Sequence, residues 1–151
     1  NTSAIKNPVL ITEAANIYGS QCIVGSIEAK NKNNSWEAYI DNGREETNID
    51  AVKWAIELES LGVGEIMVTS IDKDGTKTGF DTALVSLINS KVNIPVIASG
   101  GAGNNVHVQE LLSSCNNDIS GISLASILHY NLSTIGSVKQ SVKSLGLDVR
   151  L

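Results

Sequence analysis

The strongest constraint in this chain is an alternation. Short apolar runs of strand length (residues 21–27, 65–69, 94–98 and 119–124) each precede a segment whose apolar residues recur at helical spacing. Such alternation predicts βα units and a parallel sheet, because a crossover helix is what joins parallel neighbours. The runs are mostly continuous rather than alternating, as in strands covered on both faces. Local signals set the helix ends. Asn7-Pro8 reads as N-cap and first helical residue of a helix over 8–18 that stops at Gly19. Asp50 caps a helix to about residue 61, with Trp54, Leu58 and Leu61 on one face and Gly62 closing it. Asp81 caps the next, to about 89. Further helices are expected after the glycine loop 99–103 as far as 114, over 126–129 as a short turn, and over 134–144. Residues 36–40 read as a strand entering the tight turn Asp41-Asn42-Gly43-Arg44, since Asn-Gly tolerates positive φ. Residues 70–80 are polar and punctuated by glycine, hence a loop.

The 151 residues therefore hold four βα units and a leading helix with no strand of its own. Two architectures accommodate this: a doubly wound four-stranded sheet, or a single partial domain, 1–151, forming the C-terminal half of a (β/α)8 TIM barrel, which in full needs eight strands and typically ~250 residues. The chain starts at Asn1 without Met, as expected of a piece of something longer. With 42% hydrophobic residues a packed core is available, and a net charge of −5 argues against nucleic-acid binding. Cys22 and Cys115 are far apart and form no C-x-x-C, which excludes a disulfide framework or structural zinc on spacing. That cysteine usage fits a reducing, cytoplasmic compartment. No apolar run approaches the ~20 residues of a membrane span, and no signal peptide is visible.

In both architectures chemistry gathers at the C-terminal ends of the strands. Those ends carry Glu28-Ala29-Lys30, then Ser70 through Thr76 with Asp72, Asp74 and Gly75, then Ser99-Gly100-Gly101-Ala102-Gly103, then Ala125-Ser126. Glycine lets a ligand approach the backbone, and the amides at a helix start favour an anion, so a phosphorylated small molecule is expected. Blander roles stand beside these. A Gly-Gly loop is often only a turn, Asp72 and Asp74 fit Asx turns, Glu28 fits a salt bridge to Lys30, and Glu65 fits a part-solvated strand start. His107 is expected to face solvent and His129 to pack, while Trp36 covers either a ligand or only the rim.

Several stretches together resemble one family, the cyclase (synthase) subunit of imidazole glycerol phosphate synthase from histidine biosynthesis. They are Asn1-Thr2-Ser3-Ala4, Gly19-Ser20-Gln21-Cys22, Trp36-Glu37-Ala38-Tyr39, Asn42-Gly43-Arg44, Asp50 through Ala55, Gly64-Glu65-Ile66, Thr69 through Asp81, Ile97 through Gly103, and Val149-Arg150-Leu151. The run Asp72-Lys73-Asp74-Gly75-Thr76-Lys77-Thr78-Gly79-Phe80-Asp81 is specific to this family and its near paralogues. The resemblance implies strands five to eight of a (β/α)8 barrel. It implies an enzyme, a lyase that adds ammonia to a biphosphorylated formimino carboxamide ribonucleotide and cyclises it to imidazole glycerol phosphate and an aminoimidazole carboxamide ribotide. Ammonia would come from a glutaminase partner on the opposite barrel face, in a heterodimer, with no metal and no cofactor.

By the same resemblance, Glu28 and Asp74 are the catalytic acid/base candidates. Gly75, Thr76, Gly100, Gly101, Ala125 and Ser126 line one phosphate site, Asn1 and Thr2 line the second, Asp81 is a substrate contact as well as an N-cap, and Glu65 is a gate for ammonia. Two positions depart from the family pattern. Glu28 stands where the family has aspartate, and Asn48 where it usually has glycine. The family's second essential aspartate lies on the first strand, outside this chain, so the isolated 151 residues are expected to be inert. Other readings are a cyclase-like protein of polysaccharide synthesis, an isomerase on the same barrel (disfavoured by Glu65 and the Trp54 helix), and a non-catalytic half barrel that binds phosphate.

Overall fold

The computed structural model describes residues 1–150; Leu151 lies outside the described residues. The elements are α1 (Thr2–Lys6), α2 (Val9–Tyr18), a 3-10 turn (Ser20–Cys22), β1 (Val24–Lys32), β2 (Ser35–Ile40), β3 (Glu45–Asp50) and α3 (Ala51–Leu61). They continue with β4 (Glu65–Ser70), α4 (Thr82–Asn89), β5 (Val96–Ser99), α5 (Asn105–Ser114), β6 (Gly121–Ser123), α6 (Ser126–His129) and α7 (Ile135–Lys143). The sheet order is β3-β2-β1-β4-β5-β6, and β1, β4, β5 and β6 pair in parallel.

That order decides between the two architectures. The four parallel strands follow one another in chain order. Right-handed crossovers that all advance in one direction leave their helices on the same side of the sheet. A doubly wound sheet needs a reversal of strand order, and there is none among the described strands. The fold is an open arc of βα units, singly wound. Burial agrees. Gly25, Ile27 and Ala29 on β1 and Ile66, Val68 and Ser70 on β4 are buried on the helix-covered face, while Ser26, Glu28, Met67, Thr69, Ile97 and Ser99 are half-exposed on the other. Gly25 shows how tightly the helical layer seats: a Cβ there would lie 3.1 Å from Leu58 of α3 and from Val63. One core cluster gathers Trp54, Leu58, Ile27, Ile66 and Ile88, and a second gathers Val108, Leu111, Ala98, Ile127 and Val138.

The cap signals hold. Asp50 accepts from the amides of Val52 and Lys53, Asp81 from Leu84, and Gly62 closes α3 in the left-handed conformation at φ 103°. Three expectations need correction. The strand expected over 21–27 starts at Val24 and runs to Lys32, because beyond Ala29 it leaves β4 and continues as a hairpin with β2. Its turn is Asn33-Asn34 at φ 53° and 65°, which asparagine tolerates. The leading segment is two helices, with Asn7 ending the first rather than capping the second. Finally, β3 was not anticipated; it returns from the Asp41-Asn42-Gly43 turn, whose three residues all have positive φ. Glu37 holds that return. Its buried carboxylate accepts from Lys32 Nζ and from the amides of Thr47 and Asn48, at the bulge between Ala38 and Tyr39. The Lys32 ammonium, ahead of the backbone amides, pulls the Glu37 carboxyl below the usual carboxylate range.

Candidate active site

Strand register builds the site. Glu28 pairs with Thr69, Thr69 with Ser99, and Ser99 with Ser123. Side chains alternate along a strand, so one row of a carboxylate and three hydroxyls crosses the four strands near their C-terminal ends, on the open face. Glu65 lies on that face at the other end of β4, opposite Val24. Thr69 is four residues further along the chain, about 13 Å along the strand.

The Glu28 carboxylate has an orienting partner: Asn1 Nδ2 donates to its Oε2 at 2.8 Å and to the Tyr39 carbonyl at 2.7 Å. Thr2 Oγ1 accepts from the Asp41 amide at 2.9 Å. The start of α1 is thus joined to both Glu28 and the far end of β2.

Asp74 and the glycines meet in a small cavity past the row, whose lining includes Asp74, Gly75, Lys77, Gly100, Gly101, Ala125 and Ser126 together with Ser99 and Ser123 of the row. Two loops interlock to make it. The Gly79 amide donates to the Gly101 carbonyl at 2.9 Å, and the Asp74 amide donates to the Ser70 carbonyl at 2.9 Å. The approach is so close that a Cβ on Gly101 would lie 2.1 Å from the Gly79 carbonyl oxygen, and one on Gly103 would lie 2.2 Å from that of Lys77. The opening turn of α6 adds forward-facing amides beside Ala125 and Ser126.

Two residues expected at the site have their polar atoms engaged elsewhere. The Thr76 hydroxyl donates to the Lys73 carbonyl at 2.7 Å and contacts Thr78 Oγ1, so it shapes its own loop. Asp81 is shared three ways: Oδ1 caps α4, while Oδ2 accepts from Trp36 Nε1 at 2.8 Å and from Ser70 Oγ at 3.4 Å. The Trp36 indole N–H is therefore directed at Asp81. His107, expected to face solvent, is half-exposed and also serves the loop. Its Nδ1 accepts the Gly103 amide at 3.1 Å, which places the proton of the neutral ring on Nε2 and stiffens the glycine loop. His129, expected to pack, is exposed, with its ring edge-to-face against Tyr130. Sequence reading did not single out Thr69, Ser99 and Ser123 as a set. The signal was a small polar residue close to each strand end, but only the parallel register aligns the three.

An arc of parallel βα units with its carboxylates, hydroxyls and glycine loops at the C-terminal strand ends is the partial form of a (β/α) barrel. The family model described as Histidine biosynthesis protein matches residues 1–134, and the chain belongs to that family. It is 49% identical over 152 residues to the imidazole glycerol phosphate synthase subunit HisF of Hydrogenobaculum sp. (strain Y04AAS1), covering all of this chain and 60% of that protein. It is 46% identical over 151 residues to the same subunit of Dehalococcoides mccartyi (strain BAV1), covering all of this chain and 59% of that protein. The chain thus spans about 60% of the length of these relatives. Among the described residues no helix is long and apolar enough to cross a membrane.

Proposed function

We propose that these residues are the C-terminal half, strands five to eight, of the cyclase subunit of an imidazole glycerol phosphate synthase. The whole protein would be a lyase that uses ammonia from a glutaminase partner, held in a heterodimer in the cytoplasm. It would convert the biphosphorylated formimino carboxamide ribonucleotide into imidazole glycerol phosphate and aminoimidazole carboxamide ribotide. The observation that carries this reading is the row Glu28–Thr69–Ser99–Ser123 ending at the cavity of Asp74, Gly75, Gly100, Gly101, Ala125 and Ser126. A carboxylate beside a glycine-lined anion pocket suits proton transfer on a phosphorylated substrate.

Glu28 and Asp74 act as the acid/base pair. The interlocked glycine loops hold one phosphate, and the Asn1–Thr2 start of α1 serves the second while Asn1 keeps Glu28 oriented. Glu65, at the opposite strand ends of the same face, guards the route by which ammonia arrives. The extra methylene of Glu28 relative to aspartate is accommodated by the Asn1 hydrogen bond, which fixes where the longer carboxylate ends. Both margins of the arc support a larger barrel. Ile17, Tyr18 and Val24 are exposed on one side, and Leu132 and Ile135 on the other.

The test is ammonia-dependent turnover by the full-length protein. Wild type turns over, Glu28→Gln and Asp74→Asn lose on the order of 100-fold or more in kcat, and the 151 residues alone give none. Full activity in both variants, or an inactive full-length wild type, sinks the reading.

A further inference from the structure

We infer that the β1–β2 hairpin is a brace fixing the spacing between Glu28 and Asp74, with Trp36 as its positioning residue; this rests on the catalytic reading above. β1 pairs with β4 only as far as Ala29, so residues 30–36 project from the parallel sheet as a two-stranded ribbon. Such ribbons are marginally stable alone. Besides its contacts to β3, where Lys32 Nζ donates to Glu46 Oε2 at 3.2 Å and Ser35 Oγ to Asp50 Oδ2 at 3.4 Å, this one has two ties to the loop that carries Asp74. The Asn31 amide donates to Asp72 Oδ2 at 2.7 Å near the start of that loop. Trp36 Nε1 donates to Asp81 Oδ2 at 2.8 Å at its end, on the same carboxylate that caps α4 and accepts from Ser70.

Glu28 hangs on the same frame. It sits at the base of the hairpin on β1, and the Asn1 amide that holds its Oε2 also binds the Tyr39 carbonyl on β2. Glu28 on β1 and Asp74 in the loop that follows the neighbouring strand β4 thus share a common tether. A Trp placed only to fill space would not need its N–H on a charged acceptor shared with a helix cap. Acid/base chemistry is sensitive to misplacement on the scale of about 1 Å, so the ties that hold Asp74 relative to Glu28 bear on the rate. The same loop is also held by the Gly79–Gly101 hydrogen bond, which neither the Trp36 nor the Asp72 tie supplies.

The experiment uses the full-length protein carrying Trp36→Phe, which keeps an aromatic ring and removes the N–H, and separately Asp72→Ala, which cuts the other tie. In each, kcat for ammonia-dependent turnover falls on the order of tenfold, while KM for the biphosphorylated nucleotide changes less than about twofold. Amide exchange quickens at Ile71 and Asp74 as well as in residues 30–40. An unchanged kcat in both variants overturns the inference. So does a KM effect with kcat intact, which would make Trp36 a substrate contact, or faster exchange confined to the hairpin. If Trp36→Phe fails to fold, Asp72→Ala decides. If wild type itself has no turnover, the catalytic reading falls while the exchange arm still tests the brace.

Discussion

Replacing Gly101 by alanine tests the interlocked loops most directly. Gly101 adopts φ 102°, and a Cβ there would stand 2.1 Å from the Gly79 carbonyl oxygen, 2.8 Å from its carbon and 3.0 Å from Lys73 Cβ. Real Cβ contacts do not fall below 3.0 Å, so the loops must part by about 1 Å, and backbone cannot swing aside as a flexible side chain can. The Gly79–Gly101 hydrogen bond, 2.9 Å long, would then stretch past the working range. Losing it costs about 1 kcal/mol, and the left-handed conformation imposed on alanine about 1–2 kcal/mol more. A stability loss of about 2–3 kcal/mol follows, together with an opened cavity beside Asp74. Two companions separate the causes. Gly75→Ala has positive φ but nothing within 4 Å of its Cβ, so it costs only about 1–2 kcal/mol. Gly103→Ala keeps an ordinary φ and meets the Lys77 carbonyl at 2.2 Å, so it pries the same loop from the other side. Urea denaturation of the full-length variants gives the stabilities, and calorimetric titration with inorganic phosphate gives the affinity. Gly101→Ala and Gly103→Ala weaken phosphate binding at least about tenfold, a change of ~1.4 kcal/mol. Phosphate affinity equal to wild type in Gly101→Ala, with a stability loss no greater than that of Gly75→Ala, refutes the interlock.

Glu37→Ala strips the acceptor from the Thr47 and Asn48 amides and destabilises by about 1–3 kcal/mol, seen as faster exchange of those two amides. Because the Glu37 carboxyl is lowered by Lys32, its contribution is complete above the usual carboxylate range and is lost as pH falls through its own lower value; the gap in urea midpoint between wild type and Glu37→Gln therefore closes in acid. Asn48 sits at φ 59°, so Asn48→Ala costs about 1–2 kcal/mol whereas Asn48→Gly costs much less, by the same denaturation assay. A thiol reagent labels the exposed Cys22 readily and leaves Cys115 unmodified in the native state, since burial raises the Cys115 thiol and shields it; equal labelling of the two contradicts the packing of α5.

Much of the fold was legible because its signals are local. Asp50, Asp81 and Gly62 cap and close helices through atoms within a few residues of themselves, so their chemistry is written in the chain. The Asp41-Asn42-Gly43 turn and the loop glycines are of the same kind. The Asn33-Asn34 turn was missed because asparagine pairs are also common in plain loops, and nothing nearby marks β1 as continuing past the parallel sheet. The chain around Trp36 does not distinguish covering a ligand from covering the rim, since the partner of its indole, Asp81, lies 45 residues away.

The sequence by itself determined the βα rhythm, the acidic surface, the residue types at each strand end and the motif that ties the chain to its family. Only the tertiary structure decided three things. Parallel register put Glu28, Thr69, Ser99 and Ser123 in one row. Strand order made the sheet a singly wound arc rather than a doubly wound one. Backbone approach set which glycines are indispensable: Gly101 and Gly103 meet carbonyls at 2.1 and 2.2 Å, whereas Gly75 meets nothing. The physical reason is the same in each case. Propensity and capping act over a few residues along the chain, while register, winding and close approach are relations between segments that are distant in sequence, fixed only when the core packs.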